Sequence, residues 1–97
     1  MNSLLVFFLM TSLPLLGAET KEVAIKSLQK RGEAGKQRHY LPDQNTPFTG
    51  KAVAYWHGGH KMTEISYKDG KRDGTKFHWY ETGGKLSEIN YKDGKHH

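Results

Sequence analysis

Tyr67-Lys68-Asp69-Gly70-Lys71 recurs as Tyr91-Lys92-Asp93-Gly94-Lys95, offset by about 24 residues. Around this phrase, stretches 50–71 and 74–95 are two copies of one pattern. They share Gly59/Gly83, Lys61/Lys85 and Glu64-Ile65/Glu88-Ile89, and they match in kind at Val53/Phe77, Tyr55/Trp79, Trp56/Tyr80 and Met62/Leu86. A period of this length marks a repeat architecture, in which each unit is one supersecondary motif that leans on its neighbour to bury an apolar face. Such a design makes a scaffold. It points to binding rather than to a catalytic pocket.

Residues 51–56, 61–68, 75–80 and 85–92 are short runs rich in aromatic and β-branched side chains. Between them stand His57-Gly58-Gly59, Asp69-Gly70, Asp73-Gly74 and Glu81-Thr82-Gly83. Strand-length runs punctuated by Gly and Asp are the signature of hairpins. The expected fold is all-β, built of tandem antiparallel β-hairpins.

Alternation fixes an expected register. One face would carry Val53, Tyr55, Thr63, Ile65, Tyr67, Phe77, Trp79, Ile89 and Tyr91, all at odd positions. Cross-strand partners share a face, so odd-length loops follow. Three-residue loops at 57–59 and 81–83, with Gly59 and Gly83 left-handed beside a bulge, meet that condition. Gly70 and Gly94 are the matching glycines of the Asp-Gly turns. The opposite face is mostly polar, but it carries Trp56 with Met62 and Tyr80 with Leu86 near the hairpin tips. These four serve either to stiffen each turn or to form an apolar strip facing a partner.

Three segments organise the chain. Residues 4–16 form an apolar run of signal-peptide length, too short to span a bilayer, and Ala18 is a plausible cleavage residue. Residues 1–18 are therefore expected to be a signal peptide, with the mature protein exported to the periplasm or beyond. Residues 19–49 read as a divergent capping segment. In it Val23, Ile25 and Leu28 start a strand or short helix, and 37–41 forms a strand before a loop at 41–47. Residues 50–97 hold the two repeats, 50–73 and 74–97.

The chain has no cysteine and a net charge of +5, all of it outside residues 1–18. No disulfide or thiolate metal site can form. The stability of so small a domain has to come from a modest core and backbone pairing. For an exported basic chain, anionic lipid, wall polymer or an acidic protein is a more natural partner than nucleic acid. Lysines placed in turns also keep sheet edges soluble.

Pro47-Phe48-Thr49-Gly50-Lys51 leads into the array, followed by aromatic-aromatic-x-x-Gly-x-Lys and Glu-Ile-x-Tyr-Lys-Asp-Gly-Lys. Over residues 28–95 these motifs resemble the bacterial MORN-repeat variant family, whose members include YwqK-type antitoxin proteins. The resemblance implies a β-hairpin array forming one elongated, twisted antiparallel sheet, with no catalytic residues and a protein-binding role. With an export signal, the matching role is immunity against a toxin acting outside the cytoplasm.

Candidate chemistry is sparse. His57 and His60 are spaced to share a metal if the backbone curls, but the second repeat has Glu81 and Gly84 there, and no third ligand is assured. Ser27, Ser66 and Ser87 have no base and orienting group readable nearby. Glu64 and Glu88, as repeat equivalents, read as partners of lysines on a wet face rather than an acid–base pair. The expectation is a non-enzymatic module without metal or cofactor. It would bind a protein through Trp56, Met62, Tyr80 and Leu86, or attach to anionic membrane or wall polymer through its lysines. The strand at 85–92 is expected to leave an edge free for a partner or for a second copy of the chain.

Overall fold

The computed structural model describes residues 21–97. The expected signal peptide, residues 1–18, lies outside them. Nine strands follow in order: β1 (Glu22–Ala24), β2 (Gln29–Arg31), β3 (Arg38–Tyr40), β4 (Gly50–Tyr55), β5 (Lys61–Lys68), β6 (Lys71–Arg72), β7 (Gly74–Trp79), β8 (Lys85–Lys92) and β9 (Lys95–His96). One 3-10 turn, Ile25–Ser27, separates β1 from β2, and no α-helix occurs among the described residues. The fold is all-β.

The main sheet has seven strands in the order β1-β4-β5-β7-β8-β9, with β6 paired to β5. β2 and β3 form a separate antiparallel hairpin. The expected wholly antiparallel sheet needs one correction. β1 runs parallel to β4, with Glu22 opposite Lys51 and Ala24 opposite Val53. A parallel pair requires a long crossover connection. Here the 3-10 turn, the β2–β3 hairpin and the loop before Gly50 supply it, so the capping segment both adds a strand and folds over one sheet face.

Each repeat is a long hairpin followed by a short one. In the long hairpin the Gly59 amide donates to the Trp56 carbonyl (2.9 Å), and the Trp56 amide donates to the His60 carbonyl (2.8 Å). This closes a three-residue loop with Gly59 at φ 106°. Tyr80, Gly83 and Gly84 repeat the arrangement, with Gly83 at φ 105°. In the short hairpin Lys68 pairs with Lys71 across Asp69 (φ 50°) and Gly70 (φ 81°). Two consecutive positive φ values define the type I′ turn, whose twist matches that of the flanking strands. Asp93 (φ 50°) and Gly94 (φ 86°) form the second copy.

The expected facial pattern fails at a bulge in each long hairpin. Ala54 pairs with Thr63 but Tyr55 pairs with Lys61, leaving Met62 as the extra residue. Likewise His78 pairs with Ser87 but Trp79 pairs with Lys85, leaving Leu86 extra. One inserted residue shifts the pairing parity of everything beyond it. Thr63, Ile65, Tyr67, Ile89 and Tyr91 do share a face, and Ala52 joins them. Val53 and Phe77 instead lie opposite Glu64 and Glu88, on the other face with Tyr55 and Trp79.

The core sits on the first of these faces, under the first repeat. Phe48, Ala52, Ile65 and Tyr67 are buried, with Val23, Ile25, Leu28 and Leu41 of the capping segment packed against them. The second repeat has no such cover. Its Ile89 is only half-buried, and its Tyr91 is buried by Arg72, whose guanidinium lies 5.2 Å from the ring centre, and by an edge-on His96.

Candidate functional site

The two repeats place like groups side by side, so the functional surface divides into the hairpin tips, the outer edge of β8 and the turn end of the sheet. At the tips the indole nitrogen of Trp56 donates to the Trp79 carbonyl at 3.0 Å. Trp79 in turn stacks on Phe77, with ring centroids 5.4 Å apart. Trp56 thus ties one repeat to the next. Of the four residues expected to face a partner, Trp56 and Met62 are half-buried, whereas Tyr80 and Leu86 are 53% and 52% exposed. Tyr55, expected in the core, is also exposed: it lies with Val53 on the face opposite Ile65, at the hairpin-tip end of β4.

The outer edge of β8 is where the repeats stop matching. In β5, Thr63 and Glu64 pair with His78 and Phe77 of β7, and the last two residues pair with β6. In β8, Tyr91 and Lys92 pair with β9, but among the described residues no strand lies beside Ser87 and Glu88 on that side. The Asn90 carbonyl accepts from the His97 amide at 2.8 Å, so it points outward. Backbone groups alternate sides along a strand, so Glu88, two residues earlier, also turns its N–H and C=O outward.

The same contrast appears in charge. Glu64 is buried between Lys61 (2.7 Å) and Lys51 (3.5 Å), and Glu22 stands 3.7 Å from Lys61. Burial pushes the Glu64 carboxyl up, but the Lys61 hydrogen bond and the two ammonium charges outweigh it and hold the group below its ordinary range. The equivalent pair, Lys85 and Glu88, is exposed.

The turn end is strongly basic. An open cleft of about 560 Å³ lies between the β2–β3 hairpin and the two Asp-Gly turns, where Lys30, His39, Lys71, Arg72 and Lys95 meet a single carboxylate, Asp93. His39 is fixed there: its amide donates to the Gly70 carbonyl (2.9 Å) and its ring packs on Tyr67. Burial lowers the pKa of its imidazole, and the charges of Lys30 and Arg72 lower it further, against the pull of the Gly70 carbonyl. The sequence places Lys71 and Lys95 beside the Asp-Gly turns. It has no signal that Lys30 and His39 fold back to join them, because that depends on where the capping hairpin lands.

His57 and His60 both stand exposed on the first tip, with the His60 ring resting against Gly83 of the neighbouring tip. Among the described residues no three His, Asp or Glu side chains gather as metal ligands would. Comparisons of the chain with protein-family models, with curated proteins and with solved structures return no match.

Proposed function

We propose that this chain is a non-catalytic, exported binding module that holds a protein partner by strand addition to the outer edge of β8. The observation that carries the reading is the difference between β5, which has β7 beside Thr63 and Glu64, and β8, where the equivalent Ser87 and Glu88 have no strand beside them among the described residues. An extended segment of the partner would repeat on β8 what β7 does on β5. Main-chain hydrogen bonds to Glu88 would supply affinity, and exposed Leu86 and Tyr80 would supply the apolar contacts that select a sequence. Lys85 and Lys92 at the ends of the strand discourage indiscriminate pairing. The likeness to MORN-variant repeats supports a protein partner and an immunity-type role, and the apolar leader ending near Ala18 supports export.

Proline tests the edge directly. It lacks an N–H and is tolerated on an edge strand when that N–H faces solvent. Glu88→Pro is therefore expected to fold and to lose capture of the partner from the envelope fraction of the producing cell, while Glu88→Ala retains it. In hydrogen exchange the Glu88 amide should be open in the isolated monomer and protected with partner bound. Equal capture by both variants, or full protection of residues 86–91 in a strictly monomeric sample, would sink the reading. A dimer in sedimentation that Glu88→Pro abolishes would make a second copy the occupant of the edge.

A further inference from the structure

The basic cleft at the turn end has no part in strand addition. Its cations come from three places distant in sequence: Lys30 from β2, Lys71 and Arg72 from β6, and Lys95 from β9. None of the four forms an ion pair among the described residues, although Asp93 lies in the same wall. Arg72 is also held in place: its guanidinium donates to the Tyr91 hydroxyl at 3.2 Å while stacking on that ring. The shape is concave and roomy. A concave site with converging like charges and one oriented guanidinium concentrates counter-ions of the opposite sign.

We propose that this cleft is a binding site for clustered phosphate groups, with Lys30, Lys71, Arg72 and Lys95 as the contacting cations. Phosphate suits the cleft better than a lone carboxylate, because each group offers several acceptor oxygens and more than one charge to ammonium groups approaching from different walls. The two type I′ turns keep Lys71 and Lys95 at matching places on adjacent hairpins, so the repeat itself sets their spacing. His39 sits beside Lys30, Arg72, the Gly70 carbonyl and the Tyr67 ring, and so reports occupancy. An anion bound there opposes the positive field and raises the pH at which the imidazole titrates.

The experiment is an NMR titration of the full chain with inorganic tripolyphosphate, alongside sedimentation with vesicles of phosphatidylcholine with and without phosphatidylglycerol. Tripolyphosphate should move the amides of Gly70, Lys71, Gly94 and Lys95 and raise the His39 titration midpoint. The double variant Lys71→Gln/Lys95→Gln should weaken binding by about tenfold or more, whereas Lys21→Gln/Lys26→Gln, which removes equal charge away from the cleft, should change it by about twofold or less. Cleft-dependent binding of tripolyphosphate alone identifies a soluble phosphate source. Cleft-dependent binding of anionic vesicles as well identifies a headgroup source. Unmoved cleft amides, or equal weakening by the two double variants, would overturn the proposal and leave only diffuse attraction to a basic protein.

Discussion

Gly70 and Gly94 occupy the same place in the same turn type, with φ 81° and 86°, yet their surroundings differ. A Cβ on Gly94 would meet only the Lys71 side chain at 3.9 Å. A Cβ on Gly70 would come within 2.7 Å of Arg38 Cβ and 3.1 Å of the His39 backbone nitrogen, because the capping hairpin closes over the first turn alone. Gly94→Ala is therefore expected to cost about 1 kcal/mol, the strain of a left-handed residue. Gly70→Ala adds to that strain an overlap with backbone that cannot move aside, of roughly 1–3 kcal/mol. Urea melts of the two variants check this, and equal midpoints would show that the hairpin does not press on the turn. The repeated Asp-Gly phrase made both turns legible in the sequence. The inequality between them was not legible, since identical residues acquire different neighbours only in three dimensions.

At the scale of the strand, β5 and β8 show how far alternation can be read. Both were expected at residues 61–68 and 85–92, and both form there. The three-residue loops with Gly59 and Gly83 form as expected, but the parity argument that led to them assumed one unbroken facial pattern, which the bulge breaks. The facing was not legible beyond the bulge. Met62 and Leu86 are apolar and sit in runs that alternate acceptably with or without an extra residue, so nothing local marks them as unpaired. That slip is why Val53 and Phe77 were expected beside Ile65 and Ile89 rather than beside the glutamates. It also hid the burial of Glu64: both glutamates were expected to pair with lysines on a wet face, yet Glu64 is buried while Glu88 stays exposed. Glu64→Gln should destabilise the fold by about 1–2 kcal/mol near neutral pH, a buried-pair value reduced because Lys51 and Lys61 remain a third or more exposed. Glu88→Gln, in the exposed pair, should change stability by under about 0.5 kcal/mol. The Glu64 carboxyl is held below its ordinary 4.5, so its contribution is full above that pH and is lost as the pH falls through the folded-state value. The gap between wild type and Glu64→Gln should accordingly close in acid, and chemical melts from neutral pH down to pH 3 would reveal it.

Across the whole molecule the capping segment and the repeats are parts of one core. Phe48 is buried on Ala52, Ile65 and Tyr67, and Val23, Ile25, Leu28 and Leu41 complete the layer. All five covering residues come from 19–49, whereas the repeats contribute the strip of Ala52, Ile65 and Tyr67 and, on the other face, a buried Val53 with Phe77 and Trp79 only half-buried. In the sequence the segment stands out because it breaks the repeat, and in the structure its Val23, Ile25, Leu28 and Leu41 pack on the core. Its parallel strand was not legible, since Glu22–Ala24 is three residues long and too short to show a period. Two hairpin repeats are also fewer than such arrays need when each unit relies on a neighbour for burial. A chain of residues 50–97 alone would expose Ala52, Ile65 and Tyr67 together, leave β4 without β1, and bury too little apolar surface to offset its ordering entropy. It is expected to lack dispersed amide resonances and to show no cooperative urea transition. Adding back residues 19–49 should restore both, whereas a cooperative transition in the fragment at the midpoint of the longer chain would mean that the repeats fold on their own and the cap merely decorates them.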